Sequence, residues 1–348
     1  MATLREISEI TGYSIATISR VLNEDETLKV TDSTRKMILD AAGSMDYANK
    51  HGGNKKGSPG EHLKIGIVQM EITQESEKDP YYLYLKSNVE KCCFSREMET
   101  FVMQYNSEEA CYRSAVSREL DGILAIGQFR EEQIAAMKKS APHIVFLDSS
   151  PRPEEFCSVV PNYEVGIRQG MKYLVEQGHR RIAFVGPEYS TDSINRQALE
   201  LRRKFFCDYL ERYGDNKIEG ILIDTDWLEC DISEQILNYM KKGHPKPTAF
   251  FAFNETTAMG VLRALQILGF QVPEDFSILS YNDTILATLT QPHLSGIRIH
   301  MEEMVDCAVD LLVRNVRGKD SIPLCISVPS TLIIRESVQK AKQELGND

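Results

Sequence analysis

From Leu63 onward the sequence alternates between two hydrophobic periods, and this limits the fold more than any other feature. Short apolar runs occur at Leu63–Val68, Thr100–Gln104, Gly122–Ile126, Ile144–Leu147 and Val159–Val160. A second series follows at Ile182–Val185, Gly220–Ile223, Ala249–Ala252 and Ser277–Leu279. Between them lie stretches with helical spacing, among them Val165–Gln177, Leu199–Tyr213, Ile232–Lys242 and Ala258–Leu268. Strands alternating with amphipathic helices predict an α/β body of doubly wound parallel sheets. Two series predict two lobes. The late segments Ser295–Ile299, Glu302–Arg317 and Leu324–Ile334 are expected to cross back between them. The expected division is therefore 62–160 with 293–325 in the first lobe, and 161–292 with 326–338 in the second.

The first 48 residues follow a different pattern. Thr3-Leu4-Arg5-Glu6 has the form of a capping box opening a helix, with Leu4, Ile7 and Ile10 expected on its buried face. Thr11-Gly12-Tyr13 reads as a tight turn, the glycine supplying backbone freedom. Ser14 is a good N-cap for a second helix whose Ile18, Val21 and Leu22 share an apolar face. Ala16, Thr17, Arg20 and Asn23 fall on the opposite face. A third helix starts near Thr31, with Ile38, Leu39 and Ala42 inward and Tyr47 closing its end. Helix, glycine turn, helix is the helix-turn-helix arrangement. A face with small leading residues and one Arg can enter a major groove. A short surface helix with a solvated polar face is the competing reading.

Residues 49–61, rich in Gly, Lys and Pro, read as a flexible hinge linker. The charge is unevenly divided. The first 60 residues are neutral overall, so the rest of the chain carries the entire net charge of −11. An acidic body repels a phosphate backbone, which confines nucleic-acid binding to the head. A neutral head binds DNA modestly, so tight binding calls for two heads on one duplex and hence a homodimer.

Other classes find little support. No apolar run approaches the roughly 18 residues of a membrane helix, and no charged-then-apolar leader opens the sequence, so no membrane association and a cytoplasmic location are expected. The eight Cys include no CxxC pair, so free thiols rather than disulfides or a metal site are expected. There is no Walker A pattern, no G-x-S-x-G and no H-E-x-x-H. Gly127 and Gly186 follow strands without a GxGxxG run. No catalytic residue, no metal and no cofactor is expected, and the protein reads as no enzyme.

Met1-Ala2-Thr3-Leu4-Arg5-Glu6-Ile7, Ser14 through Asn23, and Val30-Thr31 with Thr34-Arg35 resemble the head of the LacI/GalR family of bacterial transcriptional repressors. The resemblance implies that Ile15, Ala16 and Arg20 read bases, and that Thr17, Asn23 and Thr31 contact phosphate. It also places Thr3, Ser14, Ser19 and the linker's Lys50 near DNA. Many family members carry a hinge helix with a Leu wedge; this linker shows no such pattern. The body is similar to the family's effector-binding region, which is built like a periplasmic sugar-binding protein. That likeness rests on Asp79-Pro80-Tyr81-Tyr82, Asp121 to Leu124, Gly178 to Ala183, Pro273 to Ile278 and Tyr281-Asn282-Asp283. Within the family, the opening residues, Asp79 to Tyr82 and Val328-Pro329-Ser330 look most like the repressors of β-galactoside utilisation, the evolved β-galactosidase repressor subgroup.

Ligands of two-lobed α/β folds sit at the carboxyl ends of the strands. Asp148 ends a strand and could accept from sugar hydroxyls, or serve as a cap. Arg202 matches the family's effector arginine, whose fork donates to adjacent hydroxyls; Arg203 and Lys204 leave the register open by one, and a solvated basic face competes. Asn254 matches the family's effector amide and is equally natural as a helix N-cap. Trp227, the only Trp, aligns with an aromatic that closes over the ligand, or is a half-exposed core residue. Tyr81 and Tyr82 open a helix, with one expected in the cleft and the other in the core. Asn282 stands where several relatives carry Asp. Met301 is placed in the cleft lining, although Met is usually filler. His179 reads as structural. Together these imply a dimeric, operator-binding repressor of sugar-utilisation genes, galactosides foremost, reading a near-palindrome with half-sites about 34 Å apart or a multiple. A regulator answering a purine-like metabolite is the alternative, as is a sugar-binding protein or enzyme that binds no operator.

Overall fold

The computed structural model describes residues 4–22, 30–44, 63–71, 80–114, 119–214, 217–225, 231–318 and 322–342. The chain divides into two compact units, Met1–Glu61 and His62–Asp348.

In the first unit, α1 (Leu4–Thr11), α2 (Ile15–Leu22) and α3 (Asp32–Ser44) close around Ile7, Ile18, Val21 and Ile38, all buried. Gly12 takes φ +75° and its N–H returns to Ser8 O at 2.9 Å, which ends α1 within one residue. The Ser14 hydroxyl accepts from Thr17 N at 3.1 Å, and Thr31 does the same for Thr34 N at 3.2 Å. Each satisfies an N–H that a helix start would leave unpaired. Tyr13 Oη and Thr34 Oγ1, 3.2 Å apart, tie the turn to α3. One expectation fails here. Ile10 is 66% exposed, because Ile7 and Thr11, four apart, share the inward side and leave Ile10 on the shoulder of the helix. The side chains of Leu4, Leu22, Leu39 and Ala42, and all of Tyr47, lie outside the described residues.

The second unit starts with β1 (Lys64–Gln69), α4 (Tyr81–Ser95), β2 (Glu99–Asn106), β3 (Cys111–Arg113), β4 (Gly122–Ile126), α5 (Glu131–Ser140), β5 (Ile144–Leu147) and β6 (Cys157–Asn162). It continues with α6 (Tyr163–Glu176), β7 (Arg181–Gly186), β8 (Tyr189–Thr191), β9 (Gln197–Leu199), α7 (Leu201–Tyr213), β10 (Glu219–Asp224), α8 (Ile232–Lys241), β11 (Ala249–Ala252), α9 (Glu255–Ile267), β12 (Ser277–Asn282) and β13 (Ser295–Arg298). The last elements are α10 (Met301–Arg317), β14 (Cys325–Pro329) and β15 (Thr331–Ile333). One sheet runs β14-β6-β5-β4-β1-β2-β3 and the other β10-β7-β11-β12-β13-β15, with β8 and β9 forming a separate hairpin. Only the edge strands β3 and β15 pair antiparallel within the two large sheets. Every residue of β4, β5 and β11 is buried, as parallel strands covered by helices on both faces require.

The expected α/β fold of two doubly wound lobes is present. The crossovers differ from expectation. Residues 295–298, expected in the first lobe, pair with β12 of the second sheet, Leu279 opposite Ser295. That register buries Ser295, Gly296 and Ile297. Residues 326–329, expected in the second lobe, pair with β6 of the first, Val328 opposite Pro161. The final crossing falls at Ser330, whose carbonyl accepts from Gln169 Nε2 at 3.0 Å. Gly166 on α6 lets Tyr281 approach: a Cβ there would lie 2.0 Å from the tyrosine hydroxyl. All seven described cysteines are free thiols.

Candidate effector cleft and nucleic-acid interface

The carboxyl ends of the strands collect polar groups that parallel strands cannot bury elsewhere. Asp148, just past β5, is 9% exposed and adopts φ +70°, a left-handed conformation that Asp tolerates better than most residues. Its two carboxylate oxygens accept from the hydroxyls of Tyr81, at 2.9 Å, and Tyr82, at 2.8 Å. The two tyrosines are expected to divide between core and cleft: Tyr81 lies in the buried core cluster and Tyr82 is partly buried against it. Tyr81 is buried and Tyr82 half-buried, yet both serve one carboxylate, with their rings edge-to-face 5.1 Å apart. Burial, then the charge of Asp148, pushes the Tyr81 hydroxyl well above the ordinary tyrosine range, so it stays a neutral donor.

The second lobe holds a cation in a matching position. Within the Arg202-Arg203-Lys204 run the partners differ: Arg202 pairs with the buried Glu200, Arg203 with the exposed Asp224, and Lys204 with Asp208. Arg202, in the first turn of α7, is thus the one of the three whose charge is met by a buried carboxylate. Its Nε donates to Glu200 at 2.8 Å and its Nη1 to Phe253 O at 3.0 Å. The guanidinium stacks 3.5 Å from the centroid of Phe253, with Tyr163 at 5.0 Å and Tyr281 at 5.6 Å. Burial opposes its charge, but Glu200 together with Tyr163 and Tyr281 outweighs that and leaves its pKa raised. Glu200 also caps α7 by accepting from Arg203 N. Two of the five Arg202 N–H groups are thereby engaged with described residues. Tyr163 senses both lobes: after burial, Asp148 raises its pKa while Arg202 lowers it.

The other expected residues are placed as follows. Asn254 is fully buried and caps α9, accepting from Thr257 N at 2.9 Å. Asn282 ends β12 at φ +87°, and its carbonyl accepts from Ile299 N. The carboxylate beside it, Asp283, is fully buried between Arg298 and Arg335, so it is committed to holding the crossover strands. Met301 opens α10 half-buried against the core. Trp227 lies outside the described residues. Tyr163, Glu200, Phe253 and Tyr281 were not anticipated. Glu200 stands two residues before the arginine and Phe253 one before the amide, a spacing that could have pointed to both. His179 is buried, its Nε2 reaching Gln339 O at 3.1 Å and its Nδ1 near Thr248 Oγ1 at 2.9 Å, a structural clamp on the C-terminal segment.

On the head, Ile15 is 45% exposed and Arg20 is exposed, one turn and a half apart on the outer side of α2. Ser14, Thr17 and Thr31 sit at the two helix starts, where their hydroxyls already serve as caps or cap partners. Ala16 and Ser19 lie within α2 with side chains outside the description, and Thr3, Asn23, Lys50 and the rest of the linker lie outside the described residues.

Residues 171–338 match the family described as periplasmic binding protein-like domain. The chain is 32% identical over 342 residues to the HTH-type transcriptional regulator GalR of Streptococcus thermophilus, spanning 97% of this chain and 100% of that protein. Among solved structures, the transcriptional regulator CelR–cellobiose complex superposes with a TM-score of 0.60 at 21% identity, covering 97% of this chain and 100% of that one. The lac repressor dimer bound to operator and the anti-inducer ONPF superposes with a TM-score of 0.59 at 22% identity, covering 97% and 99%. A three-helix reader joined to a two-lobed binding-protein body defines the class of ligand-responsive transcription regulators. The chain belongs to the LacI/GalR family of helix-turn-helix regulators.

Proposed function

We propose that this protein is a sugar-responsive transcriptional repressor that binds a near-palindromic operator as a dimer in the cytoplasm and catalyses no reaction. Its domains are a DNA-reading head (1–48), a hinge linker (49–61) and two lobes that hold the effector between them. The observations that carry this reading are two polar clusters past the strand ends, Asp148 held by Tyr81 and Tyr82 on the first lobe and Arg202 held by Glu200 and Phe253 on the second. A sugar offers hydroxyls that both donate and accept. A carboxylate takes the donated protons, and a planar guanidinium fork donates to two adjacent oxygens. Tyr163 and Phe253, the partly exposed rings beside Arg202, supply apolar surface for a sugar face. Tyr82, Asn254, Asn282, Met301 and Trp227 complete the effector set. Ser14, Ile15, Ala16, Thr17, Ser19, Arg20, Asn23 and Thr31, with Thr3 and Lys50, complete the operator contacts. Supporting relatives include a regulator named GalR and a neighbour solved as a cellobiose complex. The lac repressor on its operator supports the dimer.

The effector changes affinity for DNA only as far as it prefers one lobe arrangement over the other. The test is calorimetric titration of the full chain with galactose, lactose, melibiose and purines, followed by operator binding, with and without the sugar that binds, on duplexes selected from a random library. A sugar that binds and shifts operator affinity, and is recovered chemically unchanged, supports the reading. A ligand-saturated dimer that holds its operator as tightly as the free one sinks it, and a purine in place of a sugar replaces the effector class. Arg20→Ala is expected to cost about 1–3 kcal/mol of operator affinity and relax preference at one base pair.

A further inference from the structure

The β8–β9 hairpin leaves the second lobe between β7 and α7, but its tip rests on the first. Its base closes where Glu200 N donates to Glu188 O at 3.1 Å, so the hairpin delivers the chain directly to the Glu200–Arg202 pair. At the tip, Ser193 Oγ accepts from the backbone N–H of Ser150 at 3.0 Å, and Thr191 Oγ1 lies 3.4 Å from Gln128 Oε1. Ile194 is half-buried against the first-lobe cluster that contains Val68, Phe129 and Phe146. Gln128 follows the end of β4, and Ser150 stands two residues beyond Asp148. The tip therefore docks on the loops that present the first lobe's half of the site.

The tip is built to keep its shape. Asp192 accepts from the backbone N–H groups of Ile194, at 3.0 Å, and Arg196, at 2.9 Å, and from the Arg196 guanidinium at 2.8 Å. A lone two-stranded hairpin is marginal in water, and each of these strands is only three residues long. Its order therefore depends on the local turn and on docking across the lobes.

We propose that this hairpin is a strap over the mouth of the cleft: with its tip seated, it holds the lobes together and slows ligand exchange, and its base positions Arg202. This deepens the proposed effector site and rests on it for the ligand, but the docking itself can be tested without any ligand. Lids of this kind act on release rates more than on the contacts beneath them. The Ser150 amide reports the seated tip through its bond to Ser193. In the ligand-free full chain, Ile194→Gln and Ser193→Ala should each speed exchange of the Ser150 amide by about tenfold or more, since a seated tip opens only locally. The Asp148 amide, bonded to Val159 O, should exchange as before and the melting temperature should hold. With galactose, lactose or melibiose as probe, Ile194→Gln should also speed release of the sugar that binds, with a smaller change in its association rate. Unchanged Ser150 exchange in both variants overturns the strap. Faster exchange with unchanged sugar release overturns its control of the cleft. If no sugar binds the wild type, the effector reading fails, while the exchange result still decides whether the strap exists.

Discussion

Asp148 on the first lobe is held by two neutral hydroxyls, whereas Arg202 on the second is held by an opposite charge, a carbonyl and three aromatic rings. The two sides of one cleft thus differ in what removal of the charge leaves behind. Without Asp148, two tyrosine hydroxyls lose an acceptor, and Tyr82 has access to water. Without Arg202, Glu200, only 2% exposed, loses the salt-bridge partner that the described residues give it. An uncompensated buried charge costs far more than an unpaired hydroxyl. The second side is therefore welded into the stability of its lobe, while the first can be retuned for a new ligand at little cost to folding.

The largest expected effect tests that asymmetry directly. Arg202→Met keeps volume but strands Glu200, and unfolding in urea should show a loss of about 3–5 kcal/mol. Adding Glu200→Gln should recover a large part of it, though the α7 cap weakens. A loss below about 1 kcal/mol would falsify the view that Glu200 depends on its partner. Next in size is Gly166→Ala. A helix interior favours Ala over Gly by up to about 1 kcal/mol, but here the new methyl meets the Tyr281 hydroxyl. Overpacking of this kind costs about 1–3 kcal/mol, so the net change should be destabilising. Ile297 Cγ2, at 2.7 Å from the same position, and the Tyr281 ring carbon at 2.8 Å close the remaining space, so a neutral or stabilising Gly166→Ala would show that this packing is not tight.

The strands buried on both faces were readable from sequence to the residue: β4, β5 and β11 begin and end where their apolar runs do. The edge strand β3 and the β8–β9 hairpin were not, because three residues are too few to show a period. The sequence puts β13 in the first lobe rather than beside β12 for a different reason. Its partner is chosen by tertiary register, and nothing local distinguishes a strand that will lie beside β12 from one that will lie beside β6. Among the proposed effector residues, Asp148, Arg202 and Asn254 stand out in sequence because each follows a strand or opens a helix. The choice between Arg202 and Arg203 does not, since adjacent helical positions lie about 100° apart and only the Glu200 cap sets the rotation. Tyr163, Phe253 and Tyr281 were invisible as site residues because a buried aromatic looks the same in sequence whether it faces Leu or a guanidinium.

A pH scan extends the comparison beyond the cleft, to a buried group that is kept neutral. Burial pushes His179 below the usual histidine range. As pH falls below about 6.5, the unfolded chain takes up a proton that the folded one refuses. The contribution is therefore steady above that pH and turns increasingly unfavourable as pH drops toward the folded pKa, by at most about 1.4 kcal/mol per pH unit. His179→Gln should flatten urea stability in this window; an identical slope in wild type and variant would remove the histidine from the account.

The smallest effect belongs to the first side of the cleft and sharpens the contrast most. Tyr82→Phe deletes one of the two hydroxyls on Asp148 without burying an unpaired charge. Tyr82 is half-buried and water can replace its hydroxyl, so the loss should sit near the lower end of the usual 0.5 to about 1.5 kcal/mol for a hydrogen bond. Tyr81→Phe removes a fully enclosed donor and should cost more than Tyr82→Phe, still well short of Arg202→Met. Urea midpoints of the three variants, measured side by side, give the order. Should Tyr82→Phe prove as damaging as Arg202→Met, the first lobe would be as tightly bound to its charge as the second, and the distinction between a welded side and a tunable side would be wrong.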